Sequence, residues 1–180
     1  FIVRGNDDVA AKRLIDTGSF SLINASVNLL NPSAAWKPTE MEVAHDYNGI
    51  LGYAASHGVG AAIYSPLAGG FLNDDAVTEG RFHPTARNRR SPDAMKFGLR
   101  QAQAFSFLSK NLNPNSQEED HDLAEAAIRF VLALDGVTTV LGGFSDANQV
   151  VKVAACSGKG ALSSSNIERI ETIWRNNFGD

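Results

Sequence analysis

Between a helix-like stretch that ends at His57-Gly58 and the turn Ser65-Pro66-Leu67-Ala68-Gly69-Gly70 lies the run VGAAIY, residues 59–64, which is apolar almost throughout. A strand with one wet face alternates apolar and polar residues, whereas an unbroken apolar run this short marks a strand buried on both faces of a parallel sheet. Parallel strands need crossover connections, so this one segment requires the rest of the chain to alternate strands with helices.

The flanking sequence supplies that alternation. Residues 1–3 (FIV) read as a strand with no preceding turn, as expected of a chain that begins mid-fold. Gly5-Asn6-Asp7-Asp8 is a turn and N-cap signal, followed by Val9, Ala10, Leu14 and Ile15 at helical spacing, with Gly18 as the stop. Residues 21–27 form a strand through Leu22, Ile23, Ala25 and Val27 and lead into the turn-rich stretch NLLNPSAAW. Pro38-Thr39-Glu40 opens a helix whose face carries Val43, Ala44, Tyr47, Ile50, Leu51, Ala54 and Ala55.

Beyond the central strand, residues 71–92 read as a long irregular loop with Asn73-Asp74-Asp75, Gly80, Pro84 and a basic cluster; such a loop in a compact domain is usually functional. A helix is expected over residues 93–110, then the polar surface linker NLNPNSQEED. In DLAEAAIRFVLAL, the stripe Leu123, Ala126, Ala127, Phe130, Val131 and Leu134 marks a helix ended by Asp135-Gly136. Residues 137–141 form a strand, and Gly142-Gly143-Phe144 turns into a helix capped by Ser145 or Asp146, with Val150, Val151, Val153 and Ala154 inward. A last helix, starting among residues 163–165, carries Ile167, Ile170, Ile173 and Trp174. Four strands so connected make either a small open sheet or half of an eight-stranded barrel.

The chain's 180 residues suit a single domain, and 43% apolar with 20% charged residues is the composition of a packed, soluble fold. A net charge of −4 argues against nucleic acid and acidic membrane surfaces as partners. Cys156 is alone, so no intrachain disulfide forms, and no Cys/His cluster has metal-ligand spacing; an intracellular, cytoplasmic protein is expected. No apolar run approaches the roughly 20 residues that span a bilayer, and no targeting segment is visible.

In parallel α/β folds ligands gather at the C-terminal ends of the strands, where loops meet helix N-termini rich in free N–H groups. Four segments qualify: Gly5-Asn6, residues 24–31, residues 64–70 and residues 142–149. The third segment, Tyr64-Ser65-Pro66-Leu67-Ala68-Gly69-Gly70, joins an aromatic face, a hydroxyl and glycines that let backbone approach a phosphate. It reads equally as a core tyrosine followed by an ordinary turn. Gly142-Gly143-Phe144-Ser145 leads from a strand into a helix and either seats a phosphate or simply turns. Asn6, Asn24 and Asn28 offer amides that pair with a carboxamide, or serve as turn and cap residues.

Other motifs are weaker. The glycines of GVGAAI precede a strand, whereas a dinucleotide fingerprint must follow one. Arg81, Arg87, Arg89 and Arg90 form a lid over phosphates or a solvated basic loop. His45, His57, His83 and His121 share no ligand spacing, and no nucleophile elbow occurs.

Together, INASVNLLNPSA, HGVGAAIYSPLAGGFL and AEAAIRFVLALDGVTTVLGGFSDANQV, in this order, closely resemble the C-terminal half of aldo-keto reductases. The resemblance covers nearly the whole chain. It implies an α/β fold, a (β/α)8 TIM barrel of which residues 1–180 supply the C-terminal part, about four βα units, with the N-terminal strands absent. It implies an extended NAD or NADP, with Tyr64 stacked on nicotinamide and Ser65, Pro66, Leu67 and Gly69 along the pyrophosphate. Gly5 and Asn6 resemble the family's Ser-Asn carboxamide pair, and Asn24 stands where glutamine is usual. Gly142, Gly143, Phe144, Ser145 and Gln149 would meet the adenosine end, where the family's cationic residue, arginine and asparagine read here Gly143 or Ser145, Gln149 and Val153. A 2′-phosphate needs cationic partners, so NAD is the favoured cofactor.

The resemblance further implies hydride transfer between nicotinamide and an aldehyde, ketone or sugar carbonyl. The family's catalytic Asp, Tyr, Lys and His lie in its N-terminal half, and no segment here matches their motifs. A polypeptide starting at Phe1 is therefore expected to show no carbonyl reduction. The other reading is a non-catalytic nucleotide-binding or interaction module, a half-barrel that closes its sheet against a copy of itself rather than against a missing N-terminal half.

Overall fold

The computed structural model describes residues 1–36, 41, 43–82, 91–112 and 122–179. Its centre is a parallel sheet of β1 (Leu22–Ser26), β2 (Gly60–Tyr64) and β3 (Val137–Leu141), in that order. Residues 1–3 extend it beyond β1: the Val3 N–H donates to the Asn24 carbonyl at 2.8 Å and the Asn24 N–H to the Phe1 carbonyl at 2.7 Å. The connections are the crossover helices that parallel pairing demands. They are α1 (Asp8–Asp16) and α2 (Ile50–Ser56), then α3 (Asp74–Glu79), α4 (Pro92–Gln103) and α5 (Leu123–Leu132), with α6 (Ala147–Ala155) and α7 (Ser164–Arg175) after the last strand.

The core lies on the helical side of the sheet. Ile23 and Ala25 of β1 and Ala61 and Ile63 of β2 are buried there with Ile15, Leu51, Ala54, Leu123, Ala127 and Val131. Strand periodicity sends the alternate residues the other way, and register aligns them in rows: Leu22 with Gly60, Asn24 with Ala62 and Thr139, Ser26 with Tyr64 and Leu141. That second face is open at its edges, where Leu22, Thr139 and Leu141 are exposed, while Ala62 and Ser26 on it are buried.

Several elements differ from the sequence expectation, each for a local reason. The helix expected from Pro38 begins at Ile50, because Asn48 and Gly49 hold φ of +48° and +68° and the Asp46 carboxylate accepts the Asn48 N–H at 2.7 Å, an Asx turn that blocks helix upstream. Pro38, Thr39 and Glu40 lie outside the described residues. In α1 the inward residues are Ala11 and Ile15, while Val9 and Leu14 are exposed. The loop over residues 71–92 contains α3, which Asn73 caps by accepting the Asp75 N–H.

The following helix, expected to reach Lys110, stops at Gln103 and gives way to a 3-10 turn at Ser106–Leu108. Asp146, rather than Ser145, caps α6. No residue of α6 is buried, and Val151 is 69% exposed: the helix follows the sheet's last strand and touches α5, so no described element covers the face expected to point inward.

Candidate functional site at the strand ends

Register brings the sequence-separated segments to one rim. Ser26, Tyr64 and Leu141 lie level at the C-terminal ends of the three strands. The Tyr64 hydroxyl donates to the Val3 carbonyl at 3.2 Å, which brings residues 1–3, and Gly5-Asn6 just beyond them, to the same rim. Residues 65–70 and 142–145 leave the sheet from it as well.

Tyr64 is half-buried, and its hydroxyl also lies 3.0 Å from that of Tyr47. Burial, with the Tyr47 contact second, holds its phenol well above the ordinary tyrosine range, so it stays neutral. The loop that follows has four residues at positive φ: Ser65 (+56°), Ala68 (+52°), Gly69 (+74°) and Gly70 (+97°). That conformation is costly for Ser65 and Ala68, which carry a Cβ, and strain of this kind persists only where surroundings impose it. The surroundings are visible. Pro66 is buried, the Ala68 N–H donates to the Ser65 carbonyl at 3.0 Å, and the Asn28 amide donates to the same carbonyl at 3.0 Å. Ser65 and Gly69 are exposed and Leu67 is half-buried, so the loop presents its outer surface to the rim.

The asparagines divide. Asn28 is 5% exposed, and its Oδ1 accepts the Leu30 and Asn31 N–H groups at 3.0 Å each while its amide holds Ser65; it is a turn residue that ties two loops. Asn6, at φ +65°, donates to the Ala44 carbonyl at 3.0 Å and accepts the Asp46 N–H at 2.9 Å, so both ends of its amide engage the loop before α2. Gly5 lies under that loop: a Cβ on it would sit 2.4 Å from the His45 Cβ. Asn24 lies one row below Tyr64, half-buried on the open face, and its side chain has no hydrogen-bond partner among the described residues.

At the third rim segment the Phe144 ring folds over Gly142, leaving 2.4 Å for a Cβ there, whereas Gly143 faces open space. Asp146 accepts the Gln149 N–H at 3.0 Å, and the Gln149 side chain reaches back to accept the Ser145 N–H at 2.9 Å. These two bonds close the turn ahead of α6 and place a carboxylate at its start.

Arg81 pairs with Asp75 and Glu79 of α3 at 3.3 and 3.2 Å; Arg87, Arg89, Arg90, His83 and His121 lie outside the described residues. His57 caps α2 and approaches Asp16 at 3.6 Å. Among the described residues no group of three or more His, Cys, Asp or Glu could hold a metal ion, and no helix is long and apolar enough to cross a membrane. Tyr47, expected on a helix face, lies instead in the loop ahead of α2 and joins the rim through Tyr64. Its partner is 17 residues away across a strand boundary, and no local pattern encodes that contact.

The Tyr64 ring, the exposed loop after it and the open Gly143 are available, while the amides of Asn6 and Gln149 are engaged within the chain.

The aldo/keto reductase family model matches residues 30–175. In structure the chain is similar to the holo form of aldo-keto reductase AKR11C1 from Bacillus halodurans, with a TM-score of 0.60 at 18% identity, covering 96% of this chain and 48% of that one. It is similar also to the glycerol dehydrogenase AKR11B4 from Gluconobacter oxydans, with a TM-score of 0.64 at 15% identity, covering 99% and 49%. The chain thus spans about half the length of these solved relatives, and its fold is part of a (β/α)8 barrel. No curated protein matches it in sequence.

Proposed function

The chain belongs to the aldo/keto reductase family, and from that premise we propose that it forms the cofactor-holding part of an NAD(P)-dependent oxidoreductase acting on an aldehyde, ketone or sugar carbonyl. The observation that carries this reading is the level placement of Ser26, Tyr64 and Leu141, with Tyr64 tied to Val3, which gathers a neutral aromatic platform and a strained, outward-facing loop at one rim. When bound, nicotinamide supplies or accepts the hydride. Tyr64 holds the ring's plane, the loop of Ser65, Pro66, Leu67 and Gly69 takes the pyrophosphate, and Gly142, Gly143 and Phe144 border the adenosine end. Asn6 joins the carboxamide if its contacts to Ala44 and Asp46 are exchanged for it. Asn24 offers an unengaged amide one row below.

Proton transfer to the forming alkoxide needs a positioned acid. In this proposal it comes from a partnering N-terminal half-barrel, and the 180-residue chain alone does not turn over a carbonyl. The adenosine end favours NAD, since the Asp146 carboxylate stands at the start of α6 and Lys152, in its last turn, lies 3.7 Å from Asp122.

Titration with NADH and NADPH, followed by tryptophan fluorescence, tests the reading. NADH is expected to bind, and Tyr64→Ala to weaken it by about tenfold through lost ring contact. Absence of binding in the full-length protein would defeat the proposal. A preference for NADPH of about a hundredfold, roughly 2.7 kcal/mol, would defeat the NAD assignment.

A second reading has its own support. Apolar side chains are exposed at both ends of the sheet, Ile2, Phe20 and Leu22 at one and Leu141, Phe144, Val150 and Val151 at the other. A half-barrel that self-associates would cover them. A sedimenting dimer of the 180-residue chain that binds no dinucleotide would favour this reading over the first.

A further inference from the structure

The Tyr64 hydroxyl carries one proton and donates it to the Val3 carbonyl. The 3.0 Å contact with Tyr47 therefore runs one way, with Tyr47 donating and Tyr64 accepting. The donor is itself held in place. Tyr47 is 6% exposed, its N–H donates to Ser33 Oγ at 3.1 Å, the Ser33 hydroxyl donates to Asn31 Oδ1 at 2.7 Å, and the Asn31 amide donates to the His45 carbonyl at 2.9 Å. The tip of the Tyr64 ring is thus clamped from two sides, by a strand-end carbonyl and by a phenol fixed in the loop ahead of α2.

We propose that Tyr47 is a positioning residue that sets the plane of the Tyr64 ring for the nicotinamide, so that the platform is formed before the cofactor arrives. This rests on the reading of Tyr64 as that platform. A pre-set ring spares the ordering cost of an aromatic side chain at an open rim, and the gain is realised only by a ligand that touches the ring. ADP-ribose, which lacks nicotinamide, does not draw on it. The raised titration of the Tyr64 phenol keeps the clamp protonated across neutral pH.

The test uses Tyr47→Phe, Tyr64→Phe, their double variant and Tyr64→Ala in the full-length protein, each titrated separately with NADH and with ADP-ribose and checked by thermal melting. Tyr47→Phe is expected to weaken NADH about three- to tenfold while leaving ADP-ribose within about twofold. The double variant is expected to be no worse than Tyr64→Phe alone, since Tyr64→Phe already removes both the Tyr47 and the Val3 bonds. If Tyr47→Phe leaves NADH unchanged while Tyr64→Ala weakens it, the platform stands and the positioning role falls. Equal weakening of both ligands marks general destabilisation and also overturns the role. If Tyr64→Ala changes neither ligand, the platform reading fails and takes the proposal with it. Should Tyr47→Phe melt before titration, Tyr64→Phe takes its place: it removes the Tyr47 bond together with the Val3 bond, so unchanged NADH affinity overturns the positioning role and weakening of NADH alone supports it.

Discussion

Asn28 joins the turn after β1 to the strained loop after β2, and its replacement should be felt in both. In Asn28→Ala the Leu30 N–H loses its acceptor, and the Ser65 carbonyl keeps only the Ala68 N–H. Leu30 is half-buried, so its orphaned N–H costs about 1 kcal/mol, and with a lost neutral hydrogen bond at about 0.5–1.5 kcal/mol a loss of about 2 kcal/mol is expected. At this chain length about 2–4 °C of melting temperature accompanies each kcal/mol, which places the drop at about 4–8 °C. Asn28→Asp keeps the acceptor for Leu30 and Asn31 but cannot donate to Ser65, and it sets a buried negative charge against the Ser65 carbonyl beside the proposed pyrophosphate loop. Its melting should fall at least as far as that of the alanine variant, and its affinity for NADH should fall more. Urea and thermal melts, with parallel cofactor titrations, measure both. An alanine variant melting within about 1 °C of the parent would refute the assignment of Asn28 as the tie between the loops.

Three further outcomes are expected. Gly98→Ala places a Cβ 2.8 Å from the buried Phe71 ring; helix propensity returns about 1 kcal/mol, but overpacking costs about 1–3 kcal/mol, so urea melts should show a net loss. Arg129, 4% exposed, donates to the carbonyls of Gly160, Lys159 and Ala161 at 3.0, 3.3 and 2.9 Å; Arg129→Met should cost about 2–4 kcal/mol and raise hydrogen exchange over residues 156–162 first. Asp8 accepts the Asn48 amide and pairs with Lys12, and these contacts hold its carboxyl below the ordinary carboxylate range. With the folded value depressed, its contribution is complete above about pH 4 and disappears as pH falls through the folded value. The parent should therefore lose more stability on acidification than Asp8→Asn, and equal acid sensitivity would remove this role.

How much of this was legible beforehand follows from the range of the interactions. The VGAAIY run announced a doubly buried parallel strand because burial on both faces removes polar residues, and β2 lies there with Ala61, Ala62 and Ile63 buried. The α5 stripe read correctly for the same reason, since a helix with one buried face writes that face into its spacing. The α6 stripe has the same spacing, yet none of its residues is buried, because periodicity records a face without recording what covers it. The start of α2 was misplaced because an Asx turn at Asp46 and two left-handed residues outweighed an apolar pattern that continued upstream.

At the site the division is the same. Tyr64 and the glycines after it stood out because residue type and strand-end position are local properties. The occupation of Asn6 by the loop at Ala44 and Asp46, the lock of Asn28 on Ser65 and the pairing of Tyr47 with Tyr64 join residues 17 to 40 positions apart. Local pattern sets the kinds of strands and helices and the residue types that reach the rim. Tertiary structure alone decided which amides remain available there and which are spent, because a hydrogen bond between distant segments depends on sheet register and loop path, and neither leaves a periodic trace in the chain.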